Sequence, residues 1–451
     1  MKICISRIES FFLMLSSIVF ITASMMLSIP LYFGFGAGIV FTSFFLVLKG
    51  YEIKNLLFII IRGIKEARIL YGVILLIGAT ASAWMISGVV PAMMYYGFSL
   101  LGGMNFLLAA FLIVSLISMF MGTAVGTIST MGIAILGIGK GFGIPEGILM
   151  GVIVSGAFIA DKASPISGLL NLTLTTVNRG YREVFRSMLN TLVPIIFITA
   201  LVYYFIGLRY TQTDVIQLQG YRDAIKSGFN VFPLLMLLPA AVMAMSLSGL
   251  KTVPTISIGI VIACIFGILY QKTGIVTVIS SILFGYRSTT SSEELNAILR
   301  SGGIVSMVEV VFVVMGAVAL VALFESSGTI SPIIERLMNK TDTRNKLTIK
   351  TGLISSLLTV ITCDQTVGIV VSGRLLQNKY KELGLDNSVL ARTISDTGTI
   401  IAPLMMWNIN ALIIKSVTSV SAQEYWFYAV LCYISPIVTI IISFIENKNV
   451  S

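Results

Sequence analysis

The sequence predicts an all-α polytopic membrane protein. Hydrophobic residues make up 56% of the 451 residues, charged residues make up 11%, and the mean hydropathy is +0.97. A soluble globular domain carries about 25% charged residues, so most of this chain must face lipid or a protein interior. Two long apolar stretches also contain glycine, proline and charged residues, which hydrocarbon tolerates only where they face protein or a water-filled cavity.

Several apolar segments are long enough to cross a bilayer as helices, which takes about 20 residues. They cover residues 11–29, 31–48, 69–90, 188–208, 229–247, 255–270, 304–324 and 425–445. With the polar-dotted stretches at 105–177 and 351–414, we expect about ten to twelve helices, including re-entrant hairpins and discontinuous helices, in a single transmembrane domain over residues 1–451. Segment 275–285 is too short to cross and is expected to be external or re-entrant.

Basic residues crowd the N-terminus and four loops, at 49–68, 179–186, 336–350 and 374–381. By the positive-inside rule, these loops place both termini on the cytoplasmic side of a multi-pass plasma-membrane protein. The same rule accounts for the net charge of +10, so nucleic acid is not an expected partner. The first helix follows Lys2 and Arg7 without a small-residue cleavage site before Pro30, and we expect it to be retained.

Histidine is absent from the sequence, which removes the usual proton relay near neutral pH. Any proton coupling must therefore run through Asp, Glu, Lys or an organised water. The four cysteines lack the spacing of a metal or disulfide site and are expected to be free thiols. No nucleotide-binding loop is present, so we expect no cofactor and no enzymatic activity; Na⁺ and H⁺ are the candidate coupling ions.

The stretches 105–177 and 351–414 each read as a hairpin followed by a broken crossing helix, in opposite orientations. Two sequence echoes support the pairing: residues 143–145 against 384–386, and Pro165 with Asn171 against Pro403 with Asn408. Inverted repeats with interrupted helices at corresponding positions indicate a substrate site near the bilayer midplane. The sequence therefore predicts an inverted-repeat transporter architecture, with the two units forming the site.

In the first unit, polar side chains cluster where the helices must break. Thr123 and Thr127 lie at the hairpin turn and offer hydroxyl ligands, although packing of small residues would equally explain the glycines beside them. Asp161 and Lys162 point about 100° apart on a helix, so each needs its own role: an ion or substrate site, or a structural ion pair with the second unit. Pro165 breaks the helix and leaves oxygen ligands for a hard cation near Ser164, Ser167 and Asn171.

The second unit combines acids, hydroxyls and amides in the same way; its candidate ligands are Asp364, Gln365, Asp396, Thr397, Thr399 and Asn408. Arg392 lies one turn before Asp396 on the same helix face, where it could pair with it. Alternatively, Arg374 and Arg392 hold a substrate carboxylate, which suits a planar guanidinium. For Arg374, extension to the cytoplasmic surface is the competing interpretation.

Three acids are candidates for proton coupling: Asp161, Asp396 and Glu309. Glu309 is a lone acid about 8–9 Å inside the 304–324 segment, at a depth where an ionisable residue is costly and usually functional. Asn171, Asp396 and Thr399 together are a candidate sodium site, because amide, carboxylate and hydroxyl oxygens are the ligands that hard cations prefer.

At these residues the chain resembles the NhaC-type sodium:proton antiporter family, within the larger ion-transporter superfamily. The matching residues are Ser155-Gly156, Asp161-Lys162, Ser164-Pro165, Asn171, Asp364-Gln365, Gly373-Arg374, Arg392, Asp396, Gly398-Thr399, Pro403 and Trp407-Asn408. Residues 82–97 also look like the early helix of that family. The resemblance covers most of the chain and implies exchange of sodium for protons, sometimes with a carboxylate such as malate against lactate.

The chain departs from that family directly after the Ser-Pro pair. The usual run there is Ser-Asp-Thr-Thr-Asn, whereas this chain has Ser167-Gly168-Leu169-Leu170-Asn171. One acid and two hydroxyls that a cation site would use are therefore missing, which puts the substrate, the stoichiometry or the ion coupling itself in question. Glu309 stands where the resemblance implies an aromatic residue, and it would restore a carboxylate.

The sequence thus predicts a secondary active transporter that exchanges a cation, a small solute or both by alternating access. The first hypothesis is a sodium:proton antiporter, which the resemblance implies. The alternative is an ion-coupled carrier of a small organic substrate, a carboxylate or an amino acid, motivated by the missing acid and the two arginines. A channel or a non-transporting scaffold is a third class, although two broken, charged units argue against a scaffold. The expected partners are the lipid bilayer and the transported ion or solute, and a homodimer is left open.

Overall fold

The computed structural model describes residues 5–101, 103–210, 215–338 and 341–448 of the chain. Within these ranges the regular structure is helical, apart from an isolated bridge between Arg287 and Arg300. Eight helices in the described ranges are long and apolar enough to cross a membrane, or up to 11 if each bent helix pair counts as one span. The prediction of an all-α polytopic membrane protein is confirmed.

The N-terminal part consists of the helices Arg7–Met26, Leu31–Leu48, Ile53–Glu66, Arg68–Ile86 and Val89–Leu101. The first two pack side by side around a short turn, and the second packs against Gly303–Ser326. Gly34 permits the close approach, because an added Cβ atom would lie 2.7 Å from Ser24 Oγ. The predicted spans 11–29 and 31–48 are therefore present as helices.

Helix Ile53–Glu66 corrects the prediction of a basic loop at 49–68. Its apolar residues follow the helical period, and its buried residues are Leu56 and Gly63. Gly63 packs so closely on helix Gly303–Ser326 that an added Cβ atom would lie 2.8 Å from Ala322 Cβ. The basic residues concealed the helix because they are exposed, as on any amphipathic helix.

One predicted span is interrupted, and another starts later than predicted. Segment 69–90 ends as a helix at Ile86, because Gly88 adopts a φ of +79° before the next helix begins. Segment 229–247 becomes helical only at Pro233, and the helix Pro233–Ser246 meets the preceding helix Leu218–Gly228 at an angle of 96°. Pro233 begins the second helix of that pair, and the residue before a proline is disfavoured in helical geometry.

Between residues 181 and 338 the described chain forms eight further α-helices: Tyr181–Gly207, Val215–Gly228, Leu237–Leu247, Thr252–Leu269, Ile275–Phe284, Glu293–Ile298, Gly303–Ser326 and Ser331–Met338. Arg68–Ile86 packs against both Thr252–Leu269 and Gly303–Ser326. The ten-residue helix Ile275–Phe284 lies beside Arg68–Ile86 and Gly303–Ser326. The chain ends in a bent pair, Ala422–Tyr428 with Val430–Glu446, whose halves differ by 47°.

Each of the two polar stretches folds as a helical hairpin followed by a broken helix. The first contains Phe106–Met121, Ala124–Thr127, Ile128–Gly132, Ile133–Gly141, Glu146–Ala157, Ile159–Ala163 and Gly168–Val177. The second contains Arg344–Thr362, Gln365–Glu382, Asn387–Ile394, Ser395–Thr399, Ala402–Leu404 and Ile409–Thr418. We call these the first and second units. The gaps at 164–167 and 405–408 are the first break and the second break.

The two units share a constant register of 241 residues at their turns. Left-handed backbone recurs at Gly122 and Cys363, at Gly143 and Gly384, and at Asn178 and Ser419. The predicted echo of 143–145 with 384–386 follows this register. The second predicted echo does not, because Asn408 corresponds to Ser167, and each of these two residues caps the helix after its break. The inverted orientation of the units stays a prediction.

Candidate functional site

A buried ion pair joins the two units. Lys162 Nζ lies 2.5 Å from Asp396 Oδ1, and both side chains are completely buried. Lys162 sits in the short helix before the first break, and Asp396 sits in the π-helical turn Ser395–Thr399. Of the two interpretations of Lys162 that the sequence left open, the structure forms the ion pair with the second unit. π-Helical turns inside α-helices are frequent at functional sites.

Helix Val430–Lys448 supplies the remaining partners of this pair. Thr439 Oγ1 donates to Asp396 Oδ2 at 2.7 Å, and Lys162 Nζ lies 3.4 Å from Ser435 Oγ. Neither Thr439 nor Ser435 was predicted from the sequence; the only signal was Ser435 before Pro436 inside an apolar helix. Asp396 belongs to the second unit. It therefore pairs with a cation of the first unit and accepts a hydrogen bond from the last helix, which belongs to neither unit.

Asp161 faces a different partner from its neighbour, as the helical geometry predicts. Its Oδ1 atom accepts from the backbone N–H of Ala124 at 3.3 Å, directly after the hairpin turn of the first unit. This bond ties the first break to the tip of its own hairpin. Glycine is required at the tip, because Gly122 has a φ of +70° and packs against Ile166 of the break.

The second unit ties its hairpin tip to its broken helix through an amide network. Gln365 Nε2 donates to the backbone oxygen of Thr399 at 2.8 Å, and Gln365 Oε1 accepts from Asn410 Nδ2 at 2.9 Å. Asn410 Nδ2 also donates to Asn408 Oδ1 at 3.0 Å. Asp364 caps the second hairpin helix by accepting from the N–H of Thr366. Of these residues, Asn410 and Thr366 were not predicted from the sequence.

Several buried polar atoms around the π-helical turn have no hydrogen-bond partner among the described residues. They include Ser395 Oγ, Thr399 Oγ1, Asn408 Nδ2 and Thr359 Oγ1, while Asp396 Oδ1 has Lys162 as its ion-pair partner but no hydrogen bond. Buried polar groups are normally paired, so this region of the second unit has unused capacity to bind a small polar ligand or an ion.

A cavity of about 380 Å³, here cavity A, touches the first break. Its lining includes Thr80, Trp84, Thr123, Gly168, Asn171 and Lys251. Trp84 is almost fully buried, and its indole Nε1 has no acceptor among the described residues. Lys251 carries the one charge among the described residues that line the cavity. Cavity A thus offers hydroxyl groups, an indole donor and a cation.

A sequence model described as the Na⁺/H⁺ antiporter family matches residues 169–446, which is more than half of the chain. The chain belongs to the Na⁺/H⁺ antiporter family. The matched range contains the whole second unit, including Asp396, while Lys162 lies just before it. Because members of this family are secondary transporters, the chain is a secondary transporter, as the sequence predicts.

Curated relatives of this antiporter-family chain cover most of its length. It is 29% identical over 379 residues to the malate-2H⁺/Na⁺-lactate antiporter of Bacillus subtilis, covering 83% of the chain and 81% of the relative. It is 29% identical over 377 residues to the Na⁺/H⁺ antiporter NhaC of Alkalihalophilus pseudofirmus, with the same coverage. The arginine/ornithine antiporter ArcD of Halobacterium salinarum is 28% identical over 393 residues, covering 85% of the chain and 79% of the relative.

Gly168, where this antiporter-family chain lacks the expected acid, is exposed on the wall of cavity A. An added Cβ atom there would meet nothing within 4 Å. A carboxylate side chain at this position, the first residue of a helix, would therefore meet no steric obstruction. Its absence leaves Lys251 as the one charge among the described residues that line cavity A, where an acid would have balanced it.

Most other predicted hydroxyl and amide ligands bond to nearby backbone in this structure. Ser164 donates to Met119 O, Thr127 to Thr123 O and Thr397 to Thr393 O. Ser167 accepts from the N–H of Leu170, and Asn171 donates to Pro165 O and Ser167 O. These bonds satisfy the backbone at a helix start or within a helix.

The predicted sodium set is divided between two places. Asn171 lines cavity A, whereas Asp396 and Thr399 are buried around the π-helical turn and do not line that cavity. Asn171 is exposed, and both hydrogen bonds found for its side chain are donated by Nδ2. Sodium binding by these residues stays a prediction.

Among the described residues, the two arginines and Glu309 form no ion pair with Lys162 or Asp396. Arg392 donates from Nη1 and Nη2 to the two carboxylate oxygens of Glu446 at 2.8 and 2.7 Å. The predicted pairing of Arg392 with Asp396 is therefore wrong: Glu446 on the last helix offers a bidentate partner, and Lys162 occupies Asp396. Arg374 is exposed, and Glu309 lines a different cavity.

Three of the four cysteines lie among the described residues. Cys264, Cys363 and Cys432 are free thiols, and the last two are buried. Cys4 lies outside the described residues. Cys363 has a structural role as the left-handed residue at the tip of the second hairpin, with a φ of +60°.

Proposed function

We propose that this secondary transporter exchanges a small organic solute against a coupling cation, H⁺ or Na⁺. The observation that carries the proposal is cavity A, whose volume of about 380 Å³ suits a small molecule. Its described lining offers hydroxyl groups, an indole donor and Lys251, but no acid. Such a wall suits the carboxylate of an organic solute, whereas a site for a hard cation would combine several oxygen ligands, usually with a carboxylate.

The coupling cation would act at Asp396. A proton or a sodium ion on this carboxylate removes or compensates its negative charge, and Lys162 then loses its partner in a fully buried position. An unpaired buried charge is costly, so cation binding favours a conformation in which Lys162 reaches water or another anion. Because Lys162 and Asp396 belong to different units, this change in charge is also a change in how the units pack.

The printed names of the relatives support exchange of organic solutes as well as of sodium. One relative exchanges malate with protons against lactate with sodium, and another exchanges arginine against ornithine. For this chain, malate, lactate, arginine and ornithine are therefore the first solutes to test.

The test uses protein reconstituted into liposomes with a trapped pH-sensitive dye, preloaded with each solute in turn. We expect that one of these solutes exchanges across the membrane, with a pH change if H⁺ is the coupling cation or with a dependence on sodium if Na⁺ is, and that it also raises the melting temperature of the protein. If no solute moves and a sodium gradient alone drives the pH change, the organic-solute proposal is wrong and sodium:proton antiport is the function.

Sodium:proton antiport is the second candidate, and a specific observation favours it. Ser395 Oγ and Thr399 Oγ1 are buried without partners on the same π-helical turn as Asp396. Hydroxyl and carboxylate oxygens at one turn suit a dehydrated sodium ion. Sodium-dependent protection against thermal unfolding, lost in Thr399→Val and kept in Trp84→Phe, would support this candidate.

We also propose the plasma membrane as the location, with both termini in the cytoplasm, because the basic residues crowd the loops on that side of the predicted topology. Transport without a cofactor or an enzymatic step is part of the same proposal. A homodimer is the assembly to test, by the mass of the protein in detergent after subtraction of the bound detergent.

A further inference from the structure

A second cavity of about 520 Å³, here cavity B, touches the second break. Met406 of the break and Leu412 of the helix after it line this cavity, together with the turn at Ser28 and the helix Gly303–Ser326. Cavities A and B share no lining residue among those described. In the register of 241 residues, Met406 corresponds to Pro165 and Leu412 corresponds to Asn171, both of which line cavity A. Cavity B therefore occupies, in the second unit, the place that cavity A occupies in the first.

The charges of cavity B differ from those of cavity A. Glu309 and Lys415 both line it, one acid and one base. Glu309 is two turns inside the apolar helix Gly303–Ser326, about 9 Å from its start, where an ionised group needs a polar counterpart. Neither residue takes part in the ion pairs found among the described residues.

Glu424, an acid on the helix that follows the helix of Lys415, is already engaged. Glu424 caps its own helix, accepting from the backbone N–H and the hydroxyl of Ser421 at 2.9 and 2.7 Å. Glu309 and Lys415 thus face one cavity with opposite charges and without forming a salt bridge to each other. A ligand that carries both an ammonium and a carboxylate group would give each of them a charge-assisted hydrogen bond.

The other residues that line cavity B indicate what kind of side chain the ligand carries. Met25, Ile29, Val310, Val313, Met406 and Leu412 make much of the wall apolar. We propose that cavity B is a binding site for an amino acid with an apolar side chain, whose ammonium group contacts Glu309 and whose carboxylate contacts Lys415. This proposal goes beyond the proposed function, because binding in cavity B does not require transport through cavity A.

The test is titration calorimetry on the full chain in lipid nanodiscs, first with a panel of the standard apolar L-amino acids. The amino acid that binds is then compared with its decarboxylated amine and its deaminated acid. We expect each analogue to bind at least about tenfold more weakly, the loss of one charge-assisted hydrogen bond. If no panel member binds, or if an analogue binds as tightly as the amino acid, the proposal is overturned.

Variants assign the binding to cavity B. Glu309→Gln should weaken binding of the amino acid and of the amine by about tenfold or more but spare the acid, and Lys415→Gln should do the reverse. Glu325→Gln, at the other end of the same helix, and Lys251→Gln, in cavity A, are the matched controls and should bind normally. A loss in Lys251→Gln with normal binding in Glu309→Gln would move the site to cavity A and overturn the proposal.

Failure of this proposal is distinguishable from failure of the proposed function. Amino-acid binding that depends on Glu309 and Lys415, without any solute exchange in liposomes, would uphold cavity B and reject the transport proposal. Solute exchange that is unchanged in both variants, without amino-acid binding, would do the opposite.

Discussion

Lys162 Nζ and Asp396 Oδ1 lie 2.5 Å apart, in side chains that are completely buried. The two residues belong to different units, one directly before the first break and the other in the π-helical turn of the second unit. Any relative movement of the two units must break this pair or carry it along. The pair is therefore both a structural contact and the point at which a change of charge can alter the packing.

Asp396→Asn should destabilise the protein more than the double variant Asp396→Asn with Lys162→Met. The single variant leaves the Lys162 ammonium buried without its counterion, at a cost of about 3–5 kcal/mol, whereas removing both charges is often nearly neutral. The free energy of unfolding is measured in detergent by denaturant titration. A single variant as stable as the double variant would mean that Lys162 is not charged in the native state.

Gly168→Asp should restore a carboxylate to cavity A without disturbing the fold. The position has open space for a Cβ atom, and it is the first residue of helix Gly168–Val177, where an acid interacts favourably with the helix dipole. We expect thermal protection by sodium to appear or to increase in this variant. Gly168→Asn is the control of similar size, and equal sodium protection in both variants would contradict the role of the charge.

Gln365→Leu should loosen the second hairpin tip from the broken helix. It removes the donor to Thr399 O and the acceptor of Asn410, and each buried group left without a partner costs about 1–3 kcal/mol. Gln365→Glu keeps both hydrogen bonds only when its buried carboxyl group is protonated, so relative to the wild type this variant should be more stable at acidic pH than at neutral pH. A Gln365→Leu variant as stable as the wild type would show that the amide network does not hold the tip in place.

Arg392→Gln should lower stability without changing the affinity for carboxylate solutes. Its guanidinium already binds the carboxylate of Glu446 through two nitrogens, and losing those bonds costs about 1.5–3 kcal/mol. Glu446→Gln should produce a similar loss. A raised Km for a transported carboxylate at unchanged stability would instead support the sequence-based prediction that Arg392 holds substrate.

The sequence predicted the elements whose signal is local. Apolar length revealed the first two spans and helix Gly303–Ser326, and glycine, proline and charge revealed both broken units. Amphipathic helix Ile53–Glu66 and the bend before Pro233 were not predicted, because neither of them forms an uninterrupted apolar run. A helix half covered with basic residues fails that criterion even though its period is regular.

The site was predicted as a set of residues but not as a set of pairs. Asp161, Lys162 and Asp396 were all identified, and an ion pair of Asp161 or Lys162 with the second unit was one open interpretation, but the one partner named for Asp396 was Arg392, four residues away. Local spacing favours the near residue, whereas the fold brings Lys162 across from the other unit and turns Arg392 toward Glu446. Thr439 and Asn410 were missed because a single hydroxyl or amide in an apolar helix carries no distinctive pattern.

The most direct measurement of the central claim is the rate of internal pH change in liposomes containing Lys162→Gln or Asp396→Asn, after a sodium step and after a solute step. The surface variant Lys379→Gln, which removes the exposed pair with Glu382, serves as the control. If the buried pair couples cation binding to movement of the units, both buried-site variants lose the pH change while the control keeps the wild-type rate. A wild-type rate in either buried-site variant would contradict the coupling role of Lys162 and Asp396.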